Sequence, residues 1–177
     1  MFNVDYRLSS YLHMPWHADH VWASRLEGGW RGGDAENVSS YRLGGVPPTN
    51  LLMDIVNLTQ NSSVWLRGFA VDALIGTSYH LLVNEYRFPL FRGRTGMDSL
   101  PIFFKDLHGA VFVDAGLVLE REISSDFIDN IGVGLGTELR LDVEVLFGIS
   151  LNLRVGYAYG LGVQGGHQFY FFLAPPP

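Results

Sequence analysis

The chain has 177 residues, of which 47% are hydrophobic and 17% charged, with 21 glycines, no cysteine and a formal net charge of −6. That is about one domain. It is too apolar for disorder, too acidic for a nucleic-acid binder, and without means for a disulfide framework or a thiolate nucleophile. No uncharged apolar run approaches the roughly 18–20 residues of a membrane-spanning helix, and Met1–Asp5 opens no basic-then-apolar leader.

The elements read in chain order by a period of two, which throws successive side chains to opposite faces of a strand. Phe2, Val4, Tyr6, Leu8, Leu12 and Met14 alternate with Asn3, Asp5, Arg7, Ser9 and His13. After a tight turn at 16–19, Trp22, Leu26 and Trp30 alternate with Arg25, Glu27 and Arg31. Residues 33–77 show no sustained alternation. A connection of that length inside a compact domain is usually functional, although a further strand around Leu51–Leu58 would fit within it.

Ser78–Leu90 reads as a strand with apolar residues on both faces, and 91–106 as a long connection. Val111–Leu119 alternates again. In Ile131–Val143 the apolar parity is Ile131, Val133, Leu135, Leu139, Leu141 and Val143, set against Gly132, Gly134, Gly136, Glu138, Arg140 and Asp142. Phe147–Leu161 repeats the pattern after a tight turn at 144–146, and His167–Leu173 is the seventh strand.

Several of these strands exceed ten residues, whereas about 5–6 is usual in globular proteins. A bilayer-crossing strand needs about 9–11. Length, alternation and aromatics near strand ends (Trp16, Trp22, Trp30, Tyr157, Tyr159, Phe169, Tyr170) predict an all-β fold, an antiparallel transmembrane β-barrel. The soluble alternative is a β-sandwich or lipocalin-like barrel with the apolar parity inward. Its solvated outer face would carry more charge than this glycine-rich parity, and Lys105 is the sole lysine. Barrels of this kind have short periplasmic turns and long external loops. This puts 33–77, 120–129 and 161–166 outside, and 15–20, 91–106 and 144–146 on the periplasmic side.

Several motifs follow one another: Tyr41-Arg42-Leu43-Gly44-Gly45, Leu66-Arg67-Gly68-Phe69, Asn84-Glu85-Tyr86-Arg87-Phe88-Pro89-Leu90, Phe112-Val113-Asp114-Ala115-Gly116, a glycine-rich strand and Gln168–Leu173. In order and spacing, the chain resembles the C-terminal part of the bacterial surface antigen family, the barrel of BamA-type outer-membrane assembly factors. The resemblance implies an outer-membrane location and a role in outer-membrane protein insertion or polypeptide passage. It further implies that the loop bearing Leu66, Arg67, Gly68 and Phe69 folds into the lumen, with Arg67 braced by Glu85 and Asp114, and that the terminal strand forms one side of a lateral seam. Leu66 stands where the family has valine. Gln164, Gly166, Phe169 and Phe171 resemble the C-terminal strand signal of outer-membrane proteins, followed here by Ala174 and three prolines, which cannot extend a ladder.

The alternative function is a non-catalytic structural barrel that completes a larger envelope complex or anchors an associated domain. No catalytic, metal or cofactor site is expected. His13, His17, Asp19 and His20 match no standard metal spacing, Gly132–Gly136 precedes no helix that would present amides to phosphate, and no G-x-S-x-G elbow exists. The expected partners are the lipid bilayer, other barrel strands and unfolded outer-membrane proteins, with no nucleic acid. Seven strands cannot sit open in lipid, because two edges of unsatisfied backbone would remain. The wall is therefore expected to be completed by an upstream segment, a second copy or a partner chain, unless an eighth strand closes it. The family's barrel has sixteen strands, usually with soluble N-terminal repeats, and this sequence contains neither the early strands nor the repeats.

Overall fold

The structure is a computed structural model that describes residues 2–33, 40–46, 65–97, 100–119, 130–145 and 148–174. Among the described residues nine strands are formed in chain order: β1 (Phe2–Met14), β2 (His17–Gly32), β3 (Tyr41–Leu43), β4 (Leu74–Gly76), β5 (Ser78–Met97), β6 (Leu100–Leu119), β7 (Ile131–Val145), β8 (Ile149–Leu161) and β9 (His167–Ala174). Seven of them build one antiparallel sheet in the order β1-β2-β5-β6-β7-β8-β9, and β3 pairs with β4 in a separate two-stranded ribbon. All neighbours in the large sheet except β2 and β5 are consecutive hairpins.

The expected barrel is not closed within this chain: β1 and β9 are both edges. The reason is strand number and order, since among the described residues no pairing links the first strand of the sheet to the last. The eighth strand considered around Leu51–Leu58 lies outside the described residues. Two boundaries also differ from the sequence reading. The first turn is Pro15–Trp16, so His17–Asp19 already belong to β2. The segment 91–106 is not a long connection: it extends β5 to Met97 and brings β6 back from Leu100. Pairing there is irregular, with register shifts between Pro89 and Phe91, between Arg92 and Thr95, and between Phe104 and Leu107. Each irregularity resets which parity faces which side, so the two-residue period is lost in the sequence although the strands continue.

The two faces of the sheet invert the ordinary arrangement. On one face Val113, Leu139 and Val155 are 49%, 50% and 52% exposed, while Asp114 and Glu138 on the other are 0% and 3% exposed. The exposed face also carries Trp22, Leu26, Trp30, Val111, Leu135, Phe169 and Phe171. The covered face carries Glu27, Glu85, Asp114, Glu138, Arg140 and Asn152.

What covers the polar face is the connection between β2 and β5. Leu43, Leu66, Phe69, Ala73 and Leu74 pack with Tyr79, Leu81, Val83 and Val118, and Val46 and Trp65 pack with Phe112, Ala158, Tyr170 and Phe172. This explains why Ser78–Leu90 alternates poorly: Tyr79, Leu81 and Val83 are apolar because they meet the loop. The apolar core therefore lies between loop and sheet, in two clusters flanking a charged centre.

Candidate functional site

The loop crosses the inner face from edge to edge. At the β1 side the Tyr41 hydroxyl bonds Asn3 and Asp5, 2.6 Å from Asp5 Oδ1, and its ring lies 3.9 Å from the Arg31 guanidinium carbon. Near β8 and β9, Gly166 N donates to Gly68 O at 3.0 Å, and Phe69 bridges Gly165. Gly68 has φ +91°, a conformation glycine adopts without a Cβ clash, and a Cβ there would meet the backbone of Tyr159 and Gly160.

Arg67, between these anchors, is the hub of the charged centre. Its Nε and one terminal nitrogen donate to the two Asp114 oxygens, both at 2.7 Å. The other terminal nitrogen donates to Glu85 at 2.9 Å and Glu138 at 3.4 Å. The guanidinium also stacks on Phe112, 3.4 Å from the ring centre. A planar fork held by a bidentate carboxylate and an aromatic face is a geometry that lysine cannot reproduce. Burial disfavours the charged guanidinium, but the hydrogen bond and charge of Asp114, with Glu85 and Glu138 behind it, hold the Arg67 pKa well above its ordinary value. The cation is permanent.

The acids are shared in turn. Glu85 also accepts from Arg140 and Arg87, each at 2.8 Å. Glu138 accepts from the Tyr170 hydroxyl at 2.8 Å and from Arg140. Strands β5, β6, β7 and β9 are thus tied to one loop residue or to each other through buried charge. Arg7 and Glu27 make a separate pair at 2.9 Å between β1 and β2.

The structure brings Arg67, Glu85 and Asp114 together, with Leu66 and Phe69 buried beside them. Glu138, Arg140 and Tyr170 complete the network and were not singled out in the sequence. Their signal was present in part, since Glu138 and Arg140 share a parity with the inward glycines. The terminal-strand candidates are spread differently: Gln164 is exposed in the turn before β9, Gly166 bonds the loop backbone, and Phe169 and Phe171 stand on the exposed face. The polar residue of β9 that meets the loop is Gln168. Its Oε1 accepts from Gly68 N at 3.0 Å and its Nε2 donates to Val46 O at 3.1 Å. Gln168→Leu leaves both backbone groups unpaired and is expected to lower stability by about 1–3 kcal/mol. A thermal melt in detergent indistinguishable from wild type would remove Gln168 from the brace.

In the histidine cluster the rings of His17 and His20 stay together, 4.4 Å apart, while His20 also meets the Tyr86 hydroxyl at 2.7 Å and Asp19 pairs with Arg92 at 2.8 Å. Among the described residues one trio, Asp106, His108 and Asp142, offers ligand atoms within 4.8 Å of one another. The trio forms beside the irregular pairing at 104–107, and its members are only half-buried.

No family model, no curated protein and no solved structure matches this chain.

Proposed function

We propose that the chain is a portion of an outer-membrane β-barrel wall of the BamA-like surface antigen type, serving the insertion of outer-membrane proteins or the passage of polypeptide. The observation that carries this reading is the inverted sheet. Leu135, Leu139, Val111, Val113 and Val155 are exposed, while Glu85, Asp114, Glu138 and Arg140 on the strands, and Arg67 on the loop that covers them, are buried. In water such a surface exposes an apolar sheet and hides its ions. In a bilayer it presents hydrocarbon to hydrocarbon and turns charge toward an aqueous bore.

Strand length supports the reading. β2 and β7 have 16 and 15 residues, enough for a tilted crossing of about 9–11. The open edges at β1 and β9 would be paired in lipid by further strands, from an upstream segment, a second copy or a partner chain. The loop across the inner face would serve as lumen brace, with Arg67 as its pin.

Leu139→Arg tests the membrane reading. At mid-depth on a lipid-facing wall an arginine costs about 2–4 kcal/mol, whereas on a solvated surface such a change stays within roughly 0.5 kcal/mol. Reduced unfolding stability in lipid vesicles is expected. A variant as stable as wild type, in a protein that stays in solution without detergent, would overturn the reading. The assembly role has its own readout. Deleting the protein is expected to lower the amounts of other outer-membrane proteins, and unchanged amounts would favour a purely structural wall or anchor.

A further inference from the structure

Against the brace lies a cavity that the brace residues line only in part. It measures about 300 Å³ and opens against the inner face, lined by Arg25, Arg87, Arg154, Trp65, Tyr11 and Phe172 together with Arg67, Glu85 and Glu138. Four of the lining side chains are arginines and two are carboxylates, a formal surplus of two positive charges. Widening the count to the ion-paired cluster does not remove it. Arg7, Arg25, Arg67, Arg87, Arg140 and Arg154 are six cations, and Glu27, Glu85, Asp114 and Glu138 are four anions. The chain as a whole carries −6, so this surplus is local and opposite in sign to the molecule.

Two of the cavity arginines are also loosely paired, whereas Arg87 is held by Glu85 at 2.7 Å. Arg25 reaches Glu27 only at 3.7 Å, and Arg154 reaches Glu138 only at 3.7 Å. Arg154 instead donates its Nε to the neutral Asn152 at 2.8 Å. The indole Nε1 of Trp65 is the one buried side-chain polar atom among the described residues with no hydrogen-bond partner. A buried donor without an acceptor is costly and rare, and this one belongs to a residue lining a cavity rich in cations.

We propose that this cavity binds a phosphate group, held by Arg154, Arg25 and Arg87 with the Trp65 N–H as a neutral fourth donor. The surplus of two charges matches a phosphate dianion. Guanidinium forks match its oxygens, and the indole supplies a directional donor without added charge. The group's source is either free inorganic phosphate or a phosphate monoester on a larger solute. The inference rests on the cavity and its donors and holds whether or not the outer face meets lipid.

The test uses the full chain purified in detergent, titrated by calorimetry with inorganic phosphate and, separately, with a hexose phosphate. Saturable one-to-one binding is expected in roughly the millimolar range or tighter. Arg154→Gln is expected to weaken it about tenfold and Trp65→Phe about three- to fivefold, the latter retaining the ring and the net charge. Tighter binding of the monoester would assign that source, and equal or weaker binding would assign the free ion. Absence of saturation with both probes overturns the site. So does binding that neither Trp65→Phe nor the half-exposed Arg25→Gln alters, because phosphate would then be held elsewhere. The Trp65 and Arg25 variants keep the test decisive should Arg154→Gln fail to fold.

Discussion

Replacing Arg67 by alanine is expected to destabilise the fold by about 3–5 kcal/mol, the cost of stripping one partner from a buried ion pair. The magnitude follows from what is left behind. Asp114 is fully buried and takes both its strong hydrogen bonds from Arg67, so alanine leaves a bare carboxylate beneath the loop. Glu85 and Glu138 suffer less, because Arg140 reaches both and Arg87 reaches Glu85. Arg67→Lys is expected to recover only part of the loss, since an ammonium cannot span both Asp114 oxygens and Glu85 while lying flat on Phe112.

Asp114→Ala should resemble Arg67→Ala in size. The double variant should lose clearly less than the sum, because each single change already breaks the same contact. Urea unfolding in detergent micelles reads all four proteins. Additive losses, or an Arg67→Ala protein as stable as wild type, would mean that the loop is held by its apolar clusters alone. If the chain acts as proposed, assembly of other outer-membrane proteins should fall in parallel.

The covered and exposed faces were legible in the sequence where pairing is regular and the loop does not make the covered face apolar, as it does at Tyr79, Leu81 and Val83. From Leu135 to Arg140 the parity of Leu135 and Leu139 is exposed and Glu138 and Arg140 on the other are buried, as alternation predicts, whereas Val143 further along the exposed parity is buried. Between Pro89 and Leu107 it was not legible, because bulges break the period while the strands run on. Proline at 89, with no N–H to give a ladder, sits beside one of those shifts.

The site was legible to the same degree. Asp114 could be placed inward by parity, whereas Glu85, on a strand with apolar residues on both faces, and Arg67 were suggested only by the motif order. Which further residues join them depends on strand register, and alternation leaves register open by steps of two. Glu138 faces Gly156 across β8, and Gly156 faces Tyr170 across β9. That line of pairings, which no spacing in the chain encodes, brings the Tyr170 hydroxyl to Glu138. Gln168 shows the same dependence on register: Gln164 precedes the strand, and Gln168, inside it, is the glutamine that reaches the loop.

The glycines of β7 and β8 set how closely the loop can approach, and Gly134→Val is expected to match or exceed the loss at Arg67. A Cβ at Gly134 would fall on the Arg67 carbonyl oxygen, and one at Gly160 on the Gly68 carbonyl oxygen. Both obstacles are backbone, which cannot rotate away as a side-chain tip can. The loop must lift, and the Arg67 brace separates along with the buried Leu66 and Phe69. Burial of each of these two apolar side chains is worth about 1.5–3 kcal/mol, so full separation of loop and wall loses on the order of 6–11 kcal/mol with the ion pairs included. Gly148→Ala is the matched control, since a Cβ there meets nothing within 4 Å, and it should melt like wild type. Lifting has a direct signature, because the Arg67–Gly68 bond, shielded in the docked loop, becomes a trypsin site. Cleavage after Arg67 is expected in Gly134→Val and not in the control. Adding Arg67→Ala to Gly134→Val should bring little further loss of stability, because the valine has already removed the arginine from its acids. A Gly134→Val protein that resists trypsin at Arg67 and melts with the control would show that β7 can yield to the loop, and would leave the glycine parity without its role in seating the brace.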